Sequence, residues 1–250
     1  MLQATDLIFP DWPAPPQVKA FFTTRAGGVS THPYASLNLG AHVGDQPLAV
    51  AENRRRVRVL LPAEPVWLNQ EHGVNVATAD TLVSSAHAAV VADASVTAVS
   101  QVPCAVLVAD CLPVLFCTED ASCVGVAHAG WRGLHRGVIE RTVEAMRVRP
   151  AKIMAWLGPA IGPSAFEVGT DVLDAFTSAS RDDASAFCAI AGRRDKYFAD
   201  IYTLARRRLE RAGVQRIFGG QHCTMDESAR FFSYRRNGKT GRMAGLIWLE

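Results

Sequence analysis

The stretch "CAVLVADCLPVLFC", residues 104–117, and its continuation "CVGVAHAG", residues 123–130, decide how this chain folds. Both are nearly unbroken apolar runs, divided by "ADCLP". Runs of this kind, without in–out alternation, mark strands buried on both faces. They predict three strands in the interior of a sheet structure. Each ends in a cluster of polar and small residues: "ADCLP" (109–113) and "HAGWRG" (128–133).

Working outward, "VKAFFTTRAGGVS" (18–30) reads as a strand followed by a Gly-Gly turn, and "PYASLNLGAHVGD" (33–45) as a loop. "PLAVAENRRRVRVLL" (47–61) opens with Pro at a first helical position and continues with helical apolar spacing. "VWLNQEHG" (66–73) is a short strand ending in a polar turn, and "AVVADASVTAV" (89–99) a strand and bend. Helices are predicted over 137–148, 169–180 and 196–213, the last ending at Gly213. Further strands are predicted at 152–158, 216–220, 229–236 and 243–249, and residues 178–195 read as loop. The order of elements is irregular, so a doubly wound parallel sheet is not expected. The expected fold class is α+β: one domain over residues 1–250, with mixed sheets flanked by helices.

The chain has 250 residues, 49% hydrophobic and 20% charged, with a net charge of +2. That is globular composition, long enough for a sizeable core. Near neutrality predicts neither a nucleic-acid footprint nor a polybasic membrane patch. The N-terminal stretch has four prolines and two aspartates, unlike an export signal, and no apolar run reaches a membrane span. The six cysteines form no C-x-x-C pair, so reduced thiols in a cytoplasmic protein are expected.

Several motifs fail on inspection. "NGKTG" (237–241) resembles the end of a P-loop, but Ser233 stands where its first glycine is required. "PCAVL" (103–107) has Leu107 in place of the second cysteine of a deaminase zinc motif. No G-x-G-x-x-G or H-E-x-x-H is present. Seven scattered histidines with no H-x-H pair do not suit a multinuclear copper cluster.

What remains is a constellation at strand ends: His72 in "NQEHG", Cys111 in "ADCLP" and His128 in "HAGWRG". Neighbouring strands lie about 5 Å apart, so three strand ends can converge. A Cys-His-His set suits zinc and leaves a fourth position open for water or substrate. Against this, a cysteine in an apolar segment is most often inert core, and a histidine in a turn is most often a hydrogen-bonding or surface group.

Seven separated motifs carry a resemblance: "FFTTRAGGVS" with "PYASLNLGAHVGD" and "NRRRV", "NQEHG", "ADASVT", "ADCLPVLF", "GVAHAGWRGLHRGVI", "LGPAIGP" with "FEVG", and "FFSYRRNGKTGRMAGLIWL". Together, over residues 18–250, they resemble the laccase-domain family. Its members are often labelled polyphenol oxidase and are regarded as purine nucleoside phosphorylases. The resemblance implies an α/β/β/α layered sandwich. It implies phosphorolysis of adenosine, inosine and S-methyl-5′-thioadenosine, with adenosine deamination beside it. It also implies a catalytic metal set of His72, Cys111 and His128 for zinc, with copper sometimes assigned. Glu71 departs from the pattern, where an uncharged residue is expected.

Purine nucleosides and phosphate are then the expected partners, with no nucleic acid or membrane, and a monomer is expected. Arg25 and Arg132 are candidates for phosphate or substrate, because a guanidinium fork suits oxyanions; surface ion pairs are the alternative. Asp93 and Asp110 either orient a ligand histidine or form strand-end turns. Gly130 and Gly133 are expected to serve the backbone turn, and "YRRNGKTGR" (234–242) to form a solvated hairpin. Two other readings use the same residues. One is a metal-independent cysteine hydrolase with Cys111 as nucleophile and His128 as base; the other is a peptidoglycan-precursor editing hydrolase.

Overall fold

A computed structural model describes residues 2–82 and 90–250. The two apolar runs do form the interior, and their alternation shows why both faces are apolar. In the strand Cys104–Val108, Cys104, Val106 and Val108 join one core while Ala105 and Leu107 join another. In Leu112–Thr118, Val114 and Phe116 face a third core while Leu115 and Cys117 face the first. Each strand therefore serves two layers at once.

Two sheets pack face to face. One has four antiparallel strands, in the order Leu7–Ile8, Val18–Thr23, Met243–Leu249, Cys104–Val108. The other has six strands, ordered Arg216–Gly219, Ile153–Leu157, Leu112–Thr118, Val124–Ala129, Ala94–Thr97, Val76–Thr78. It is mixed: parallel at its two outer pairs and antiparallel between. Phe22, Leu115, Val126, Trp156 and Phe231 fill the space between the sheets. The helix Pro47–Arg58 covers the outer face of the first sheet through Val57. Val138–Ala145, Thr170–Ala179 and Ile201–Arg211 cover the second. The result is the expected layered α/β/β/α sandwich with mixed sheets. No helix among the described residues is long and apolar enough to cross a membrane.

Four local expectations are corrected. Residues 229–233 are not a strand: Phe231 and Phe232 are fully buried between the sheets, and Ser233 instead caps a short helix, Tyr234–Asn237, by accepting from the Arg236 N–H. The basic 234–242 segment is accordingly no hairpin. Residues 196–213 divide into a strand, Lys196–Ala199, and a helix beginning at Ile201, because Asp200 caps it at the Thr203 N–H. Residues 178–195 contain a 3-10 turn, Arg181–Ala186, and the strand Phe187–Ala189; buried Asp183 ties this segment to Arg211 at 3.1 Å.

"HAGWRG" proves to be a strand-to-helix junction. The strand Val124–Ala129 ends, and a six-residue helix, Trp131–Arg136, starts directly after Gly130. Phe116 lies fully buried between the six-stranded sheet and its helices. Truncating it by Phe116→Ala is expected to lower unfolding free energy by about 3–5 kcal/mol in a denaturant titration. A loss below about 1 kcal/mol would contradict this packing.

Candidate metal centre

His72, Cys111 and His128 arrive from three different segments and meet. Each offers one ligand atom, and these atoms lie within 4.8 Å of one another. Cys111 Sγ is 3.7 Å from His72 Nε2, and the two imidazole rings stand edge to face with centroids 4.8 Å apart. His128 comes from the end of the strand Val124–Ala129, opposite Pro113. Cys111 comes from the turn before Leu112–Thr118, and His72 from the turn after Leu68–Asn69.

Asp93, just before the strand Ala94–Thr97, organises the group. Its carboxylate accepts the backbone N–H groups of Glu71 at 3.1 Å, His72 at 2.9 Å and Gly73 at 2.7 Å. These three donors converge because His72 takes a left-handed conformation, φ 58°. The same carboxylate lies 2.8 Å from His128 Nδ1. His128 therefore presents Nε2 as its remaining ring nitrogen toward the site. Burial pushes the Asp93 carboxyl up, but the bonds from His128, Gly73 and Glu71 outweigh it and hold it below its ordinary value. Asp93 thus orients the His128 ring.

Burial likewise opposes charge at Cys111, yet the facing His128 and His72 bring its thiol below the ordinary range. Burial also opposes charge on His128, and Cys111 and Asp93 reverse that, raising it. Each of the two groups thus favours charge on the other. Gly130 owes its identity to this packing: a Cβ there would stand 2.9 Å from Cys111 Sγ and 3.0 Å from His72 Cδ2. Its φ of −59° is open to any residue, so the glycine serves close approach and not the turn.

The donor set fits a metal ion. Zinc takes sulfur at about 2.3 Å and imidazole nitrogen at about 2.0–2.1 Å, so tetrahedral donors sit about 3.3–3.7 Å apart. The observed spacings need only a small inward movement to reach this. His72, Cys111 and His128 form one wall of a cavity of about 550 Å³, which leaves an open side.

Other predicted residues divide. Arg132 lines the cavity, its guanidinium 4.6 Å above the Trp131 ring, and it makes no ion pair among the described residues. Arg25 does not line it. Its side chain donates to the carbonyls of Ala35 and Ser228 and lies over Phe232, tying loops together. Glu71 is exposed and also lies outside the lining.

Asp110, with φ 88°, also lines the cavity and has another task. It accepts from Thr224 Oγ1 at 2.6 Å, Ser233 Oγ at 3.1 Å and the Arg235 N–H at 2.6 Å. That clamp sets the short helix Tyr234–Asn237 at the cavity, where Tyr234, Arg235 and Arg242 join the lining. Sequence reasoning missed these three residues. The available signal was Ser233 as a helix cap before "YRRN".

Asp93→Asn is expected to weaken zinc binding by about 10–100-fold in a chelator competition, since it loosens both histidines. Unchanged affinity would show that the carboxylate does not set the ligands. In metal-free protein, the alkylation rate of Cys111 is expected to level off at lower pH than for a free thiol, whose pKa is about 8.5. The thiolate fraction rises with pH and saturates early because its pKa is depressed; zinc should suppress the reaction.

The comparisons agree over nearly the whole chain. "Purine nucleoside phosphorylase YfiH" of Escherichia coli is 54% identical over 245 residues, covering 97% of this chain and 98% of the relative. A purine nucleoside phosphorylase of Pseudomonas aeruginosa is 52% identical over 241 residues, covering 96% and 97%. A crystal structure of a Neisseria meningitidis protein superposes with a TM-score of 0.93 at 51% identity, covering 98% of this chain and 99% of that one. The family described as multi-copper polyphenol oxidoreductase laccase matches residues 19–250. The chain belongs to that family, whose relatives here bear the name purine nucleoside phosphorylase.

Proposed function

We propose that this chain is a purine nucleoside phosphorylase acting on adenosine, inosine and S-methyl-5′-thioadenosine at a zinc centre held by His72, Cys111 and His128, with adenosine deamination as a second activity. The observation that carries this reading is the convergence of those three donors on one wall of a cavity of about 550 Å³ whose lining also holds Arg132, Arg235 and Arg242. Pockets of this size enclose small organic ligands. The names of the relatives supply the reaction class.

In phosphorolysis a phosphate oxygen bonds to the sugar C1′ as the C1′–N9 bond breaks. The bonding pair leaves with the purine, and the proton of hydrogen phosphate ends on the departed base. A zinc ion held by His72, Cys111 and His128 would supply Lewis acidity at this wall. The remaining work belongs to the chain. Arg132, stacked on Trp131 and without a carboxylate partner, presents its free donors to the substrate. Trp131, Phe166 and Tyr234 offer aromatic faces for a purine. Deamination of adenosine would use the same cavity, with water replacing the C6 amine. Copper accepts the same donors as zinc, so metal analysis distinguishes the two.

A second reading has its own observation. Asp93, His128 and Cys111 stand in the order carboxylate, imidazole, thiol, which also suits a metal-independent cysteine hydrolase. It gives His72 no role. The test is metal content together with a phosphate-dependent assay on adenosine and inosine, before and after chelation. About one zinc per chain is expected, with ribose 1-phosphate formed only when metal and phosphate are both present. Activity that ignores chelators but is lost on thiol alkylation would establish the hydrolase instead.

A further inference from the structure

Beside the metal-site cavity lies a second one of about 350 Å³, and the two share His42, Tyr234 and Arg242. Its remaining lining includes Lys239 and Thr240 and contains no carboxylate. We propose that this annexe is an oxyanion subsite in which Arg242, Lys239 and Thr240 hold the phosphate co-substrate against the sugar end of the main cavity. The inference rests on the phosphorolytic reading above and deepens it.

The cationic groups here are left without acidic partners. Among the described residues neither Arg242 nor Lys239 makes an ion pair, and Lys239 Nζ sits 5.7 Å from the centre of the Tyr34 ring. The hydrogen bonds of the Arg242 side chain among the described residues run from Nη1 to the carbonyls of Thr240 and Gly241, and its guanidinium lies 5.9 Å from the centre of the Tyr234 ring. Its backbone is fixed independently, because its N–H donates to buried Asn38 Oδ1 at 2.9 Å. Through space Cys111 and then Asp110 act on Arg242, and the Asp110 carboxylate is committed to Thr224, Ser233 and Arg235. Thr240 is 2% exposed, and its hydroxyl has no partner among the described residues. Burial, then Arg242 and Arg54, hold the His42 imidazole below its ordinary value.

Placement makes the site useful. Arg242 belongs to both linings, so an anion on it stands at the junction of the two cavities. A guanidinium fork and an ammonium recognise a tetrahedral dianion through charge-assisted hydrogen bonds. The same chemistry would suit a phosphate carried on the nucleoside itself, and the test separates these sources.

The measurement is steady-state phosphorolysis of inosine by the zinc-loaded protein, with inorganic phosphate and inosine varied separately. Lys239→Met and Thr240→Val are the variants, since Arg242→Gln risks disturbing the loop it braces. The expected result is a rise of about ten-fold in the phosphate KM for Lys239→Met, with the inosine KM unchanged. Calorimetric titration with inorganic phosphate alone should show the same loss. An unchanged phosphate KM in both variants, in a protein that performs phosphorolysis, overturns the subsite and leaves the activity standing. Weakened binding of inosine 5′-monophosphate with an unchanged phosphate KM overturns the co-substrate assignment in favour of a nucleotide. Phosphate binding that the variants abolish, in a protein that never cleaves inosine, keeps the subsite and overturns the phosphorylase.

Discussion

The Asp93 carboxylate is the constraint on which the site depends. It receives three successive backbone N–H groups from the 71–73 turn and faces His128 Nδ1. One buried charge thereby fixes the path of the loop that carries one ligand and the ring orientation of another. A neutral amide in its place could not accept from all four donors, and unpaired buried donors are costly. The left-handed backbone of His72 is held by these bonds, which offset its intrinsic cost.

A second carboxylate repeats the device on the opposite wall. Asp110 gathers Thr224, Ser233 and the Arg235 N–H, and so fixes the helix that brings Tyr234 and Arg235 to the cavity. Asp110 immediately precedes Cys111, so the turn that delivers the thiolate also anchors the arginine-bearing wall. The sheets explain why both walls lie where they do. His128 shares its face of the strand with Val124 and Val126, which point between the two sheets. The metal donors therefore sit where the inter-sheet layer opens, and Gly130 gives the sulfur room there.

The legible parts of the sequence were those whose cause is local. Doubly apolar runs announced the central strands, Pro47 announced a helix start, and His72, Cys111 and His128 stood out as donors at strand ends. Asp93 and Asp110 could be singled out, but not their separate tasks, because each acts across the fold. Asp110 bonds to a residue 125 positions away. The same distance hid Tyr234, Arg235 and Arg242, whose basic stretch looks like a solvated turn until its clamp is seen. Arg25 misled for the converse reason: its fork suits anions, but carbonyls from two distant loops use it. At 229–233 the pair of phenylalanines reads as strand, and burial without a pairing partner overrides that propensity.

The family description speaks of several coppers, and the donor inventory bears on that chemistry. Among the described residues, one group of three or more metal donors converges, and it holds two histidines and one cysteine. That set also occurs in electron-transfer copper sites, where a weak axial methionine typically completes the coordination. Here the lining offers Gln70 in addition to the three donors, and the open side faces a space of about 550 Å³ edged by arginines. An open position beside guanidinium groups favours binding and polarising an anionic or oxygen-bearing substrate over passing electrons to a distant acceptor. Under the phosphorylase reading the Cys111 thiolate would offset part of the ion's charge, Asp93 would strengthen His128 as a donor, and the arginines would supply the positive field an incoming phosphate requires. The proposed phosphorylase gives each of these features a use.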